Sequence, residues 1–303
     1  MLNLQIQIKR KSGKVNKILR ALTFPIITFL SLLLISPSSL ANKSNNKPLR
    51  IAVSANFSPV LTKLIPIFLG ESGIHSEVIS GSSGTLYQQI LHGAPYDIFL
   101  SADDIHPQRL ADADLIVAGS LQTYAIGQLA FWSANKNFSS EQDLSTTLLS
   151  YSNSTSNSAR IAMANPKTAP YGQRAFETLE SLNLWNNFKN KLIIGINVSQ
   201  TFQQVRSHAV DAGFVALSQL EINNLKGLAV PETLYKPIKQ QLVILKSSKK
   251  NAEAQQLSDF LLNAKTQESI SQYGYKKIEI STSVEITSTP LSQTVDNSLE
   301  NNL

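Results

Sequence analysis

The 303-residue chain contains no cysteine, only two methionines and two tryptophans, and four histidines. Without cysteine there is no disulfide framework, no thiol nucleophile and no lipid-bearing Cys behind a leader. The four histidines, His75, His92, His106 and His208, have no Ser/Asp setting of a catalytic triad. The Gly/Ser loop at 81–84 lacks both the G-x-S-x-G spacing of a nucleophile elbow and the lysine of a phosphate-binding P-loop. Enzymatic function is therefore not expected. Asp103, Asp104 and His106 lie close in sequence, but the two carboxylates are adjacent and point apart on a strand end, so no metal site is expected there.

Long apolar runs are also missing. The longest, Ala21 to Ile35, is fifteen residues, short of the roughly twenty a membrane span needs. It follows Lys9, Arg10, Lys11, Lys14, Lys17 and Arg20 and leads into Ser39 and Ala41, small residues before a cut. Residues 1–41 read as a cleavable secretory signal peptide, which places the mature chain in the periplasm. Six of the 27 basic residues lie in that leader and no acidic one does, leaving 21 basic against 21 acidic residues. The mature protein is formally neutral, so the pI near 9.3 does not argue for nucleic-acid binding. With 42% hydrophobic and 16% charged residues the remainder is ordinary globular sequence.

The informative stretch is Glu77–Ile90, where a β-branched start runs into Ser80-Gly-Ser-Ser-Gly84 and then a helical pattern. Strand, small uncharged loop and helix N-terminus together make a place where backbone N–H groups and serine hydroxyls can meet an anion. The arrangement recurs. Leu49–Ser54 reads as the first strand, followed by a helix capped by Ser58 with Pro59 at its first position and Pro66 kinking or shortening it. Tyr96–Ser101 is a strand with a cap at Asp103 or Asp104, and Leu121–Ser133 reads as one long strand containing a first crossover. Ser150–Ser158 reads as a surface loop, Arg160–Ala164 as a strand, and a helix begins at Tyr171. Lys191–Asn197 is a strand followed by a helix over Thr201–Val210, and Asp211–Leu217 is a buried strand. A Pro-bounded return crossover precedes the strand Gln241–Leu245, and Ala252–Tyr273 reads as a single amphipathic helix.

The alternation gives an α/β fold with mainly parallel sheets in two domains, 48–124 with 237–277 and 125–236, and a tail at 278–303 expected to be disordered. Four strand-to-helix junctions stand out: Ala55-Asn-Phe57, Ser82-Ser-Gly84, Pro170-Tyr-Gly172 and Asn197-Val-Ser199. Ligands of open parallel sheets bind beyond the carboxyl ends of strands, so two junctions from each domain can converge on one pocket, with hinge closure about the crossovers. The groups there are the Asn56 amide, the Ser83 hydroxyl and helix-start N–H groups, all neutral donors. Such a set suits a fully deprotonated tetrahedral oxyanion, since no carboxylate is present to accept a ligand proton.

Ile51-Ala-Val-Ser-Ala-Asn-Phe57, Gly81-Ser-Ser-Gly-Thr85, Gly93–Asp103, Ala169-Pro-Tyr-Gly172 and Gly213-Phe-Val-Ala-Leu217, in that order, resemble the periplasmic molybdate-binding proteins of ABC transporters over about Leu49–Tyr275. The resemblance implies a two-domain type II periplasmic binding protein fold, capture of molybdate or tungstate without a cofactor, and delivery to an inner-membrane permease. A monomer is expected. By position it assigns Asn56, where many members have Ser, and Ser83 to oxyanion contacts, with the backbone N–H groups of Tyr171 and Val198. Ser54 and Ala55 are additional candidate contacts. Ala216 stands where many members place a ligand-binding Tyr. Sulfate, phosphate or ferric ion as solute, and a non-transport sensory role on the same fold, remain open from the residues alone.

Overall fold

The computed structural model describes residues 47–138, 143–153 and 159–278. The leader and the segment beyond residue 278, to which the signal-peptide and tail expectations refer, lie outside the described residues.

Leu49–Ser54 (β1) is apolar on both faces and almost wholly buried, as a central strand covered by helices must be. Helix α1 (Ser58–Ser72) follows, then β2 (Ser76–Gly81), α2 (Ser83–Leu91), β3 (Ile98–Leu100), α3 (Ile105–Asp112) and β4 (Gln122–Gly127). The next elements are β5 (Leu129–Trp132), α4 (Leu144–Ser152), β6 (Ile161–Ala164), α5 (Pro170–Ser181), α6 (Trp185–Phe188), β7 (Leu192–Gly195), α7 (Val198–Arg206) and β8 (Ala212–Ala216). The chain closes with α8 (Leu217–Glu221), β9 (Leu228–Ala229), a 3₁₀ turn (Glu232–Leu234), β10 (Ile238–Ile244), α9 (Asn251–Leu262) and α10 (Ala264–Gln272).

Two five-stranded sheets result, ordered β2-β1-β3-β10-β4 and β7-β6-β8-β5-β9. In each, three strands pair in parallel and one strand, β10 or β5, runs against both its neighbours. Four of five strands in each sheet thus share a direction, and their carboxyl ends carry the four junctions. Aliphatic and aromatic layers cover both faces of each sheet, one built on Ile51, Val53, Phe57 and Tyr124 and another on Phe131, Met163 and Phe214.

Several local expectations change. The stretch 121–133 is two strands in different sheets, broken at Gln128, because the chain leaves one sheet for the other there. Pro66 does not shorten α1, which continues to Ser72, and Ser58 is its first helical residue, not its cap. Proline costs one N–H bond, while the buried Leu64 and Phe68 on either side of it keep the helix seated. Ser150–Ser152 belong to α4, whose start is capped by the Asp143 carboxylate accepting from Thr146 N–H at 2.8 Å; residues 154–158 lie outside the described residues. The single helix at 252–273 is two, because extended Asn263 ends α9 and caps α10 by accepting from Thr266 N–H at 2.7 Å. Helix α7 starts three residues earlier than its periodicity implies, at Val198, behind an Asn197 cap that accepts from Gln200 N–H at 2.9 Å.

Candidate functional site

The four junctions meet. Ser54, Ala55 and Asn56 at the end of β1, Ser82 and Ser83 at the start of α2, Tyr171 at the start of α5 and Val198 at the start of α7 all line one small cavity, with about 190 Å³ not filled by atoms. Every one of these residues is buried. No charged side chain lines the cavity.

Local chemistry explains how each wall forms. Ser82 caps α2, its Oγ accepting from Thr85 N–H at 3.3 Å, so Ser83 becomes the first helical residue. Ser83 Oγ accepts from Ala102 N–H at 2.9 Å, which fixes the oxygen and leaves the hydroxyl hydrogen for an outside acceptor. Helix α5 starts against the end of β6: a Cβ on Gly172 would collide with the Ala164 carbonyl, so glycine permits the approach that brings Tyr171 to the cavity. The N–H groups of Tyr171 and Val198 belong to first helical turns, where no intrahelical acceptor exists. Ser54 Oγ is buried without a hydrogen-bond partner.

One predicted donor is committed elsewhere. Asn56 Nδ2 donates to Gln240 Oε1 at 3.0 Å and to Tyr275 Oη at 3.1 Å, so the side-chain amide has no hydrogen left for the cavity. What remains for a ligand at Asn56 is the backbone N–H, which has no partner among the described residues. The amide joins a buried network that the sequence did not reveal. Tyr275 Oη donates to Asn56 O at 3.1 Å, Tyr124 Oη lies 3.0 Å from both Ser101 O and Gln240 Oε1, and Gln240 Nε2 reaches Tyr171 Oη at 3.4 Å. Burial, above all, pushes the Tyr124, Tyr171 and Tyr275 hydroxyls above the ordinary tyrosine range, so they stay protonated. Ala216 offers no side-chain donor. Its N–H is held by Gln219 Oε1 at 3.0 Å, and Gln219 Nε2 reaches Val198 O at 3.4 Å, bracing the start of α7. The readable sign of the network was a pair of glutamines, Gln240-Gln241, leading into the apolar run Leu242–Ile244 of one strand.

The two sheets touch beside the cavity. Gly84 N–H donates to Thr168 O at 2.9 Å, and Ser199 Oγ donates to Ala55 O at 2.9 Å. A Cβ on Gly84 would lie 2.9 Å from Thr168 O and 3.0 Å from its Cα, so only glycine allows this approach without a shift. Next to this seam, Asp103 accepts from Ser101 Oγ at 2.8 Å and pairs with His106 Nδ1 at 2.7 Å. Burial alone would raise the Asp103 carboxyl, but the His106 bonds and charge and the Ser101 hydroxyl outweigh it and hold it below the usual range. Among the described residues no group of three His, Asp or Glu is placed to hold a metal ion.

Two mixed sheets whose strand ends close on a small, uncharged, donor-lined cavity, with no nucleophile–base pair in it, define a solute receptor. The chain belongs to the bacterial extracellular solute-binding protein family, which matches residues 49–276. It is 38% identical over 231 residues to the molybdate-binding protein ModA of Azotobacter vinelandii, covering 75% of this chain and 88% of that protein. It is 36% identical over 228 residues to ModA of Rhodobacter capsulatus, covering 74% and 86%. Among solved structures, the A. vinelandii periplasmic molybdate-binding protein superposes with a TM-score of 0.70 at 33% identity, over 76% of this chain and all of that one. The fold is that of the periplasmic binding proteins, and the protein is a binding protein, not an enzyme.

Proposed function

We propose that the protein is a periplasmic receptor that binds molybdate, and tungstate of similar size, as a dianion between two domains and delivers it to an ABC permease of the inner membrane. The domains are taken as 48–127 with 237–277 and as 128–236, the first boundary falling after β4 and not inside it at residue 124, hinged at the crossovers, in a monomer exported by its cleavable leader. The observation that carries the reading is the convergence of Asn56, Ser83, Tyr171 and Val198, from both sheets, on one small cavity without a charged side chain. Each ligand oxygen would receive charge-assisted hydrogen bonds from neutral donors: the Ser83 hydroxyl, the unpartnered Ser54 hydroxyl and the N–H groups of Asn56, Tyr171 and Val198. The helix N-termini add partial positive charge without a cation. The relatives whose names state molybdate support the choice of anion. Molybdenum enters as the oxyanion ligand and not as a resident cofactor.

Discrimination from sulfate rests on cavity size, because the two dianions share charge and shape. Donors fixed in two packed halves close well around one radius only. The test is calorimetric titration of the chain from Asn42 onward with molybdate, tungstate, sulfate and phosphate. One-to-one binding of the two larger dianions with little heat from sulfate is the expected result. Tight sulfate binding would move the substrate while keeping the site, and silence with all four would overturn the oxyanion reading.

A further inference from the structure

Beside the cavity, and sharing its Ala169–Pro170 wall, lies a much larger open cleft with about 1490 Å³ not filled by atoms. Its charge is unlike the cavity's. Arg174 is paired with Glu177 at 2.7 Å and Asp103 with His106. Arg109, Lys167, Lys236 and Lys239, all exposed, make no ion pair or side-chain hydrogen bond among the described residues, and Asp104 is the one unpaired carboxylate among them. In a mature chain with equal numbers of acidic and basic residues, four uncommitted cations around one cleft are a local excess without a structural use.

Their placement gives them one. Lys167 lies two residues before Ala169 in the wall that cleft and cavity share, next to Thr168, whose carbonyl accepts from Gly84 N–H where the two sheets touch. Lys239 is the second residue of β10, which runs against β3, so it sits at the same sheet end as the carboxyl termini of β1 and β3. We infer that this cleft is an electrostatic approach path: its cations gather small dianions beside the Ala169–Pro170 wall that it shares with the uncharged cavity, raising the rate of capture but not the hold on the captured ion. The inference rests on the oxyanion reading above. Exposed charges steer an approaching ion at long range, whereas a ligand enclosed by neutral donors is released at a rate set by those donors.

The division of labour is measurable with molybdate itself. Equilibrium titration gives Kd, a chase of bound radiolabelled molybdate with excess unlabelled molybdate gives the dissociation rate, and their ratio gives the association rate. The K167Q/K236Q/K239Q variant changes only exposed side chains. At low ionic strength its association rate is expected to fall roughly three- to tenfold with an unchanged dissociation rate. The gap should close near ~0.5 M salt, where screening falls to a few ångströms. K249Q lies past the end of β10, at the opposite end of the sheet, and is expected to leave both rates alone. An unaltered association rate in the triple variant, or a loss carried by faster dissociation, overturns the inference while leaving the oxyanion site standing. Failure of the wild-type protein to bind molybdate would remove the oxyanion reading and this inference with it.

Discussion

The two sides of the cavity are made of different material. The side on the first sheet presents serine side chains, Ser54 and Ser83. The side on the second sheet presents helix starts whose side chains are engaged elsewhere: the Tyr171 hydroxyl reaches Gln240, and Val198 belongs to the buried apolar core built on the second sheet. The difference teaches where each side is vulnerable. An ordinary side-chain truncation can disarm the first, but only a change to the backbone can disarm the second.

The largest effect should come from the first side. Ser83→Ala removes the one hydroxyl whose oxygen is already fixed by Ala102 N–H. A charge-assisted bond of about 1.5–3 kcal/mol would go, weakening molybdate binding roughly 10- to 100-fold by calorimetry. The second side is tested by Val198→Pro. Proline suits the first position of a helix and removes only the N–H, and Asn197 is already extended, as a residue before proline prefers. Affinity should fall about tenfold or more, whereas Val198→Ala should alter thermal stability but leave Kd nearly unchanged. Equal effects of the two Val198 variants on Kd would erase the contrast between the sides.

The network behind the cavity holds the two sides in register, and its loss should appear in stability before binding. Gln240→Leu leaves one of the two Asn56 Nδ2 hydrogens and the Tyr171 hydroxyl without their partner in a buried place, at a cost of about 1–3 kcal/mol read from denaturant unfolding. Asp103→Asn acts at the seam and depends on pH. The folded-state pKa of Asp103 is depressed, so its contribution is complete above the ordinary carboxylate range and is lost as pH falls through the depressed value. The variant should therefore be less stable than wild type at neutral pH, and the gap should narrow in acid. A gap that persists unchanged at low pH would contradict this. The smallest effect belongs to Ser199→Ala, which removes the partly buried bond to Ala55 O and a longer one accepted from Gln219 Nε2, whose amide keeps Val198 O as a partner; about 0.5–1.5 kcal/mol is expected.

The same contrast explains what could be read from the sequence. The Ser/Gly loop before α2 announced itself, because its small residues and cap are chemistry written in side chains. Tyr171 and Val198 could not be singled out that way, since any residue has an N–H: the strand-to-helix pattern gave the junctions that hold them, and the resemblance to molybdate-binding proteins gave the individual residues. The turning of the Asn56 amide toward Gln240 and Tyr275 was hidden for another reason. Its partners lie 184 and 219 residues away in sequence, and no local pattern encodes such a contact. Element boundaries failed where periodicity ran through a break. Gln128 and Asn263 each sit inside an unbroken apolar rhythm, and only tertiary placement divides it. Helix α4 was missed because its Ser/Thr-rich sequence is a poor helix former; packing of Leu144, Leu148 and Tyr151 on the second sheet overrides that.

The most direct test of this account is a crystal structure of the molybdate complex. It should hold one tetrahedral anion in the cavity between the two sheets, with its oxygens about 2.7–3.1 Å from Ser83 Oγ on one side and from the Tyr171 and Val198 nitrogens on the other. An anion seated in the charged cleft, or held by one side alone, would contradict the claim that two chemically different halves make a single site.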